Sequence, residues 1–171
     1  MSFLVFNGKR PKIHSTCYVA SNATLIGDVT LGAESSVWHN AVIRGDVNKI
    51  KIGARTSVQD NSVFHVTKDN PTIIGDDVII GHGAIVHACT IGNHALIGIG
   101  ATILDEAVIE DWVIVAAGAV VTEGTRVPSG TLVAGVPAKV IKSLNSKHFE
   151  RINRGIEAYV RLSRKYLGIQ F

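Results

Sequence analysis

Three of the seven histidines combine a residue type and a spacing that suit metal chemistry. His65 and His87 lie 22 residues apart, and His82 lies five residues before His87. Three imidazoles around an ion with an open fourth position are the ligand set of a catalytic zinc site. Neutral imidazole also suits Fe²⁺ and Co²⁺. The alternative is three surface histidines with ordinary hydrogen bonds, so the interpretation depends on the fold that positions them.

The elements that must position these histidines repeat every six residues. A helix has a period near 3.6 residues and a plain strand a period of 2, so neither explains a sustained period of six. A short strand and a turn repeated around a solenoid does explain it. The repeat positions are Ile13, Val19, Leu25, Leu31, Val37 and Ile43, then Ile52, Val58 and Phe64, then Ile74, Ile80 and Val86, then Ile91, Ile97, Ile103, Ile109, Val115, Val121, Val127 and Val133.

The repeat predicts an all-β solenoid, because three hexapeptides form one triangular coil of about 18 residues. Residues 13–138 would form about seven coils of parallel β-helix, preceded by a lead-in over residues 1–12. The narrow interior suits Val, Ile and Leu and disfavours aromatic rings. Glycines directly after the repeat positions suit the unusual dihedral angles of tight corners. Residues 139–171 would form a linker and an amphipathic helix, from about Ser146 to near Gly168, packed along the flank.

The repeat also predicts where the three histidines lie. His65 and His87 each follow a repeat position directly, so their rings face outward on the same side of the prism, stacked one coil apart. His82 lies on the adjacent side and cannot easily meet the other two rings within one chain. It could meet them across a threefold interface, where one prism faces the next.

Composition and charge exclude several classes of protein. A hydrophobic fraction of 46% with 18% charged residues excludes disorder, and the longest apolar stretch, ten residues over 112–121, is too short to cross a membrane. Nine Lys and Arg against twelve Asp and Glu make residues 1–138 acidic, whereas residues 139–171 hold eight and two. A basic helix on an acidic prism favours neither a nucleic acid nor a membrane partner. Two cysteines without a CxxC motif, Cys17 and Cys89, suggest buried reduced thiols in the cytoplasm.

Several motifs resemble the γ-class carbonic anhydrase family, and the resemblance covers essentially the whole chain. The motif at 135–139 is shared with hexapeptide acyltransferases. The resemblance implies a left-handed parallel β-helix and a homotrimer with a metal at each subunit interface. The residues that carry it are Arg44-Gly45-Asp46, Gln59-Asp60, His65, Gly81-His82-Gly83-Ala84-Ile85-Val86-His87 and Gly135-Val136-Pro137-Ala138-Lys139.

The resemblance also implies an activity, which is the reversible hydration of CO₂ to bicarbonate by a metal-bound hydroxide. The metal would be Zn²⁺, with Fe²⁺ and Co²⁺ as alternatives. His65 and His87 would come from one subunit and His82 from its neighbour.

Five further residues have roles by the same resemblance. Gln59 would orient the hydroxide or polarise CO₂. Arg44 would bind Asp60 across the interface and donate to bicarbonate, and Asp46 would belong to the same charged cluster. Tyr159 on the terminal helix would reach the site. Each residue also has a structural alternative, which is a surface amide for Gln59, an ion pair for the charged group and helix packing for Tyr159.

The chain departs from the family's archaeal prototype where protons are shuttled. No glutamate lies in segments 47–49 or 66–71, where the prototype has acidic loops, and Ser57 stands in place of an asparagine. Two other functions therefore stay open. One is a metal-binding trimeric scaffold with little hydratase activity. The other is a CoA-dependent acyltransferase without a metal, using a histidine such as His39 as the general base.

Overall fold

The computed structural model describes residues 2–168 as a parallel β-solenoid of about seven turns with a single C-terminal helix. This is the architecture of a left-handed β-helix and confirms the predicted fold class. The elements are β1 Ser2–Leu4, β2 Lys12–Ile13, β3 Tyr18–Val19, β4 Thr24–Leu31, β5 Ser36–Val37, β6 Val42–Ile52, β7 Ser57–Val58, β8 Val63–His65, β9 Thr72–Ile74, β10 Ile79–Ile80, β11 Ile85–His87, β12 Thr90–Ile91, β13 Leu96–Ile97, β14 Thr102–Ile103, β15 Val108–Ile109, β16 Ile114–Val115, β17 Val120–Val121, β18 Arg126–Val127, β19 Thr131–Gly135, β20 Ala138–Ser143 and α1 Ser146–Leu167.

The strands form three faces of a triangular prism. The first face contains β8, β11, β14 and β17, the second contains β9, β12, β15 and β18, and the third contains β3, β5, β7, β10, β13, β16 and β19. The long strand β6 runs from the first face into the second, where its two ends pair with β8 and β9. Within each face a strand pairs in parallel with the strand one coil away, as Leu96 does with both Ile79 and Ile114.

The core is a stack of the repeat positions. Most of them are fully buried, and the same position in successive coils is aligned by the ladder, as Ile80, Ile97 and Val115 are. Phe64 is an exception to the expectation that the interior disfavours rings. Its side chain is 0% exposed, between Ile43 and Val86 in the neighbouring coils.

The glycines that directly follow the repeat positions do not supply the unusual dihedral angles expected from the sequence. Gly81 and Gly98 do not adopt positive φ. A Cβ atom on Gly81 would lie 2.7 Å from the Ile99 backbone nitrogen, and one on Gly98 would lie 2.4 Å from the Ala117 nitrogen. These glycines are therefore required because stacked corners approach closely, and other residues adopt the left-handed conformation at the turns.

Helix α1 covers the third face of the prism. Asn145 caps its N-terminus by accepting a hydrogen bond from a backbone N–H of the first turn. Its buried side chains, Ile152, Ile156 and Val160, pack with Ile79 and Ile114 of the solenoid. The third face is thus closed by the chain's own helix, whereas nothing in residues 2–168 covers the first face in this way.

Ion pairs and aromatic contacts hold the helix in place. Arg55 of the solenoid donates to Glu157 at 2.6 Å, and Arg164 of the helix pairs with Glu34. The helix contributes two rings to an aromatic cluster with the solenoid, in which neighbouring ring centroids lie between 5.1 and 6.0 Å apart. The rings of the cluster are Tyr18, Trp38, Tyr159 and Tyr166.

The two ends of the solenoid are extended by additional strands. In the lead-in, β1 pairs in parallel with β4. The segment expected to be a linker contains β20, which folds back antiparallel to β19. Gly135, with φ of 98°, permits this reversal, because a side chain there would be strained. Within residues 2–168, no helix combines the length and the apolar character that a membrane crossing requires.

The stacked core predicts a large difference between two isoleucines two residues apart. Ile97→Ala should lower the free energy of unfolding by about 2–5 kcal/mol, because the side chain is 0% exposed and its removal leaves a cavity. Ile99→Ala, at a side chain that is 60% exposed, should cost about 0.5 kcal/mol or less. Urea denaturation followed by circular dichroism, at one protein concentration, measures both. Equal losses would contradict the inward assignment of Ile97.

Candidate functional site

Two of the three candidate metal ligands lie side by side on the first face. His65 ends β8 and His87 ends β11, and the ladder places them directly opposite each other. His65 Nδ1 lies 3.1 Å from His87 Nε2. Both side chains are partly exposed, at 22% and 31%. The stacking of these rings one coil apart therefore follows from the parallel register of the two strands.

Each of the three histidines has a carboxylate on one ring nitrogen. Asp46 Oδ1 lies 3.0 Å from His65 Nε2, and Asp60 Oδ2 lies 2.8 Å from His82 Nδ1. The carboxylate of Asp105 is hydrogen bonded to His87 Nδ1. An ionised carboxylate only accepts hydrogen bonds, so the ring nitrogen facing it carries the proton. The other nitrogen of each neutral ring is then left with a lone pair.

This arrangement determines which ring nitrogens face each other between His65 and His87. Each ring directs toward the other the nitrogen that its carboxylate does not occupy. At 3.1 Å the two nitrogens are close enough to share a proton or to bind one cation with both lone pairs. In a tetrahedral zinc site with Zn–N distances of 2.0–2.1 Å, two ligand nitrogens are about 3.3 Å apart. The donor set and its carboxylate partners therefore fit a zinc-type ion.

His82 does not join this pair within one chain. It lies in the turn between β10 and β11, at the other end of the first face, and its side chain is 45% exposed. Across the described range 2–168, no three His, Cys, Asp or Glu side chains are close enough to bind one ion together.

The charged residues predicted for the site are divided between the two ends of the first face. Arg44 donates to Asp46 at 2.5 Å, beside His65, whereas Asp60 accepts from the backbone N–H of His39 at 3.2 Å, beside His82. Burial opposes the ionisation of Asp46, but hydrogen bonds from Arg44 and His65 outweigh it and lower the pKa of this carboxyl below its usual range. Arg44 and Asp60 do not pair within the chain.

Arg44 and Asp46 lie in the long strand β6 on either side of Gly45, where the backbones of β4 and β6 approach closely. Gly27 of β4 lies opposite Gly45 and has φ of +74°. A Cβ atom on Gly27 would lie 2.3 Å from the Gly45 carbonyl oxygen. The register of β4 and β6 shifts directly after this pair, where the chain turns from the first face into the second.

Gln59 and Tyr159 lie together at the edge of the third face. Gln59 is 4% exposed and directly follows β7, and Tyr159 is half-buried on the helix beside it. Burial raises the pKa of the Tyr159 phenol, Asp60 adds to the rise, and a hydrogen bond with Gln59 opposes it. Tyr159 is therefore neutral at physiological pH. The helix brings it to the same end of the first face as Asp60 and His82.

Comparisons with known proteins define the family. A family model described as bacterial transferase hexapeptide (six repeats) matches residues 88–123. A probable carbonic anhydrase of Methanocaldococcus jannaschii is 52% identical over 145 residues, which cover 85% of this chain and 91% of that protein. A carbonic anhydrase of Geobacillus kaustophilus is 40% identical and covers 96% of this chain and 91% of its own length. The chain belongs to the γ-class carbonic anhydrase-like family.

The same fold occurs in proteins described by another activity. A crystal structure of a putative acetyltransferase from Bacillus cereus has a TM-score of 0.98 at 41% identity, covering 99% of this chain and 98% of that chain. Proteins described as carbonic anhydrases and a protein described as a putative acetyltransferase share this solenoid. The reaction of this γ-class-like protein must therefore be argued from its side chains.

Asp105 is a member of the candidate site that the sequence interpretation missed. It lies 18 residues after His87 and directly follows Leu104, which the 17-residue offset between β11 and β14 places in register with His87. The available signal was a separation close to one coil, because adjacent coils lie about 4.8 Å apart across the ladder. Asp60 and His82 are separated by 22 residues, the offset between β7 and β10, whereas Asp46 lies two residues beyond Arg44, the residue in register with His65.

Apolar side chains lie beside the paired histidines of this γ-class-like protein. Val63 and Ile85 are opposite each other in the ladder and are 42% and 44% exposed. Each lies two residues before a histidine in the same strand, so it points to the same side as that histidine. The first face thus presents two metal-ligand candidates and two exposed β-branched residues together.

The two cysteines are buried apart from these ligands. Cys89 is 2% exposed and Cys17 is 8% exposed, with its thiol donating to the Gly32 carbonyl at 2.9 Å. Burial raises the pKa of Cys89 to about 12 and also raises that of Cys17. The reactive thiolate is therefore scarce at neutral pH.

Thiol labelling tests this placement. At pH 8 neither cysteine of the folded protein should react readily with Ellman's reagent, because both pKa values lie above the usual value. Both should react once the chain is unfolded. A Cys17→Ser variant isolates Cys89, and rapid labelling of that variant in its native state would contradict the buried position.

Proposed function

We propose that this protein is a metal-dependent enzyme that hydrates CO₂ reversibly to bicarbonate at the interfaces of a homotrimer. The observation that carries the proposal is that His65, His82 and His87 each have a carboxylate on one ring nitrogen, which leaves the other nitrogen of the neutral ring to bind an ion. Metal-binding histidines in proteins show this pattern. The carbonic anhydrase relatives support the same reaction class.

The metal site would be assembled from two subunits. His65 and His87 would bind the ion from one subunit, and His82 of a neighbouring subunit would complete the set. The ion would be Zn²⁺, with Fe²⁺ and Co²⁺ as alternatives suited to imidazole. A bound Zn²⁺ supplies Lewis acidity that ionises water near neutral pH.

The distribution of surfaces supports this assembly. The helix covers the third face, whereas the first face leaves Val63 and Ile85 exposed beside the histidines. His82 lies at the opposite end of that face from His65 and His87. In a closed ring of three, one subunit's His82 corner contacts the neighbour's His65 and His87 corner, and exposed apolar groups at that contact become buried.

The remaining candidate residues would bind and orient the reactants. Gln59 would orient the attacking water or the CO₂ through its buried amide, and Tyr159 would donate a hydrogen bond from its neutral phenol. Arg44 would bind bicarbonate through guanidinium N–H groups. Asp46 and Asp60 would hold His65 and His82 in the tautomers that leave a lone pair free, and Asp60 would also bind Arg44 across the interface.

We propose that the protein is located in the cytoplasm. The two thiols are unpaired and buried, which suits a reducing compartment. Neither a nucleic acid nor a membrane is among the proposed partners.

A second candidate reaction is acyl transfer from an acyl-CoA. The observation that favours it is His39, whose Nδ1 lies 3.0 Å from Asn22 Oδ1, so that Nε2 is left as a base. His39 also lines a cavity of about 640 Å³ with Tyr18 and Tyr166. The likeness to a putative acetyltransferase supports this alternative. A third possibility is a trimeric scaffold whose metal is structural.

Substitution of His82 tests the proposed function. The protein purified without oxygen should contain about one metal ion per subunit and should hydrate CO₂. His82→Ala should lose the metal and at least 100-fold in hydration rate, because two imidazoles bind zinc much more weakly than three. Elemental analysis and stopped-flow CO₂ hydration measure the two effects. His14→Ala, an exposed histidine outside the proposed ligand set, is the matched control.

The other candidate functions predict different results. A metal-loaded trimer without hydration activity in any redox state would favour the scaffold. Release of free thiol from acetyl-CoA, abolished by His39→Ala and insensitive to chelation, would favour acyl transfer. A wild-type trimer that contains no metal and hydrates no CO₂ would contradict the proposal.

A further inference from the structure

Asp105 is held rigidly beside His87 by the coils on both sides of it. The strand that precedes it, β14, pairs with β11, so that Ile103 lies opposite Val86. The Asp105 carbonyl accepts from the Gly124 N–H at 2.9 Å, and the following residue's N–H donates to the Ala88 carbonyl at 2.8 Å. The backbone next to Asp105 is therefore tied to the backbone next to His87, and the carboxylate has little freedom to move away.

We propose that Asp105 is a positioning residue that prepares His87 to bind metal, an inference that rests on the proposed function. Its carboxylate accepts the proton of His87 Nδ1, which leaves the Nε2 lone pair facing His65. The negative charge also makes the imidazole a stronger ligand. Asp105 touches neither substrate nor ion and acts only through His87.

A purely structural role accounts poorly for this pair. The side chains of His87 and Asp105 are both about one-third exposed, at 31% and 33%. A hydrogen bond between side chains in proteins typically contributes about 1 kcal/mol to stability. Loss of the carboxylate should therefore have little effect on folding. By contrast, the tautomer that Asp105 favours determines which nitrogen of His87 can bind a metal.

The tautomer can be measured without any metal. Long-range ¹H–¹⁵N NMR spectra of histidine-labelled, metal-free trimer at pH 9 distinguish the two neutral forms. Wild-type His87 should carry its proton on Nδ1. In Asp105→Ala the form with the proton on Nε2, which free histidine prefers in water, should predominate. Asp105→Asn, whose amide oxygen still accepts a hydrogen bond, should restore the wild-type tautomer.

Metal affinity provides the second measurement. Zinc competition and Co²⁺ titration followed by visible absorption should show binding about 10–100-fold weaker in Asp105→Ala than in the wild type. Asp69→Ala is the matched control, because it removes one carboxylate from an exposed loop position. It should change the affinity by less than about twofold, and both variants should retain the thermal midpoint of the wild type within a few degrees.

Different results would contradict the role of Asp105 and the proposed function. An unchanged His87 tautomer in Asp105→Ala, or an affinity equal to that of Asp69→Ala, would overturn the role of Asp105. A wild-type trimer that binds neither zinc nor cobalt would overturn the proposed function instead, while the tautomer measurement still decides whether Asp105 controls His87.

Discussion

Parallel pairing between strands one coil apart is the constraint on which the rest of the structure depends. The buried repeat positions hold each coil in register with the next, because a slip of one residue would turn the apolar side chains outward. Once Phe64 and Val86 are aligned inside, the residues that follow them, His65 and His87, must stand opposite each other outside. The distance between two histidine nitrogens is thus determined by the packing of a hydrophobic core.

The same register supplies each candidate ligand with its acidic partner. Asp46, Asp60 and Asp105 each reach a histidine from a neighbouring coil, so no flexible loop is needed to bring charge to the site. Rings held in one tautomer by a rigid scaffold lose little freedom when they bind an ion. The helix contributes by closing the third face, which leaves the first face and its histidines available to a neighbouring subunit.

The sequence was sufficient to predict the solenoid, because a period of six has few physical solutions. It also predicted the stacking of His65 on His87, since both residues follow a repeat position. It also placed Phe64 at an inward repeat position, although the interior was expected to disfavour rings. It did not reveal that the corner glycines are needed for close stacking, because that depends on distances between coils. Asp105 was missed because its partner lies in another coil, and carboxylates at turns are common on solenoid surfaces.

Mixed trimers test most directly whether two subunits build the site. If His82 is supplied by the neighbour, equal mixing of His82→Ala and His87→Ala subunits, each inactive alone, should restore about one quarter of the sites. Mixing His65→Ala with His87→Ala should restore none, because both lesions fall on the same side of every interface. Recovery of metal binding and CO₂ hydration in the first mixture alone is the predicted result. No recovery in either mixture, with trimers of mixed composition verified by native mass spectrometry, would contradict the account.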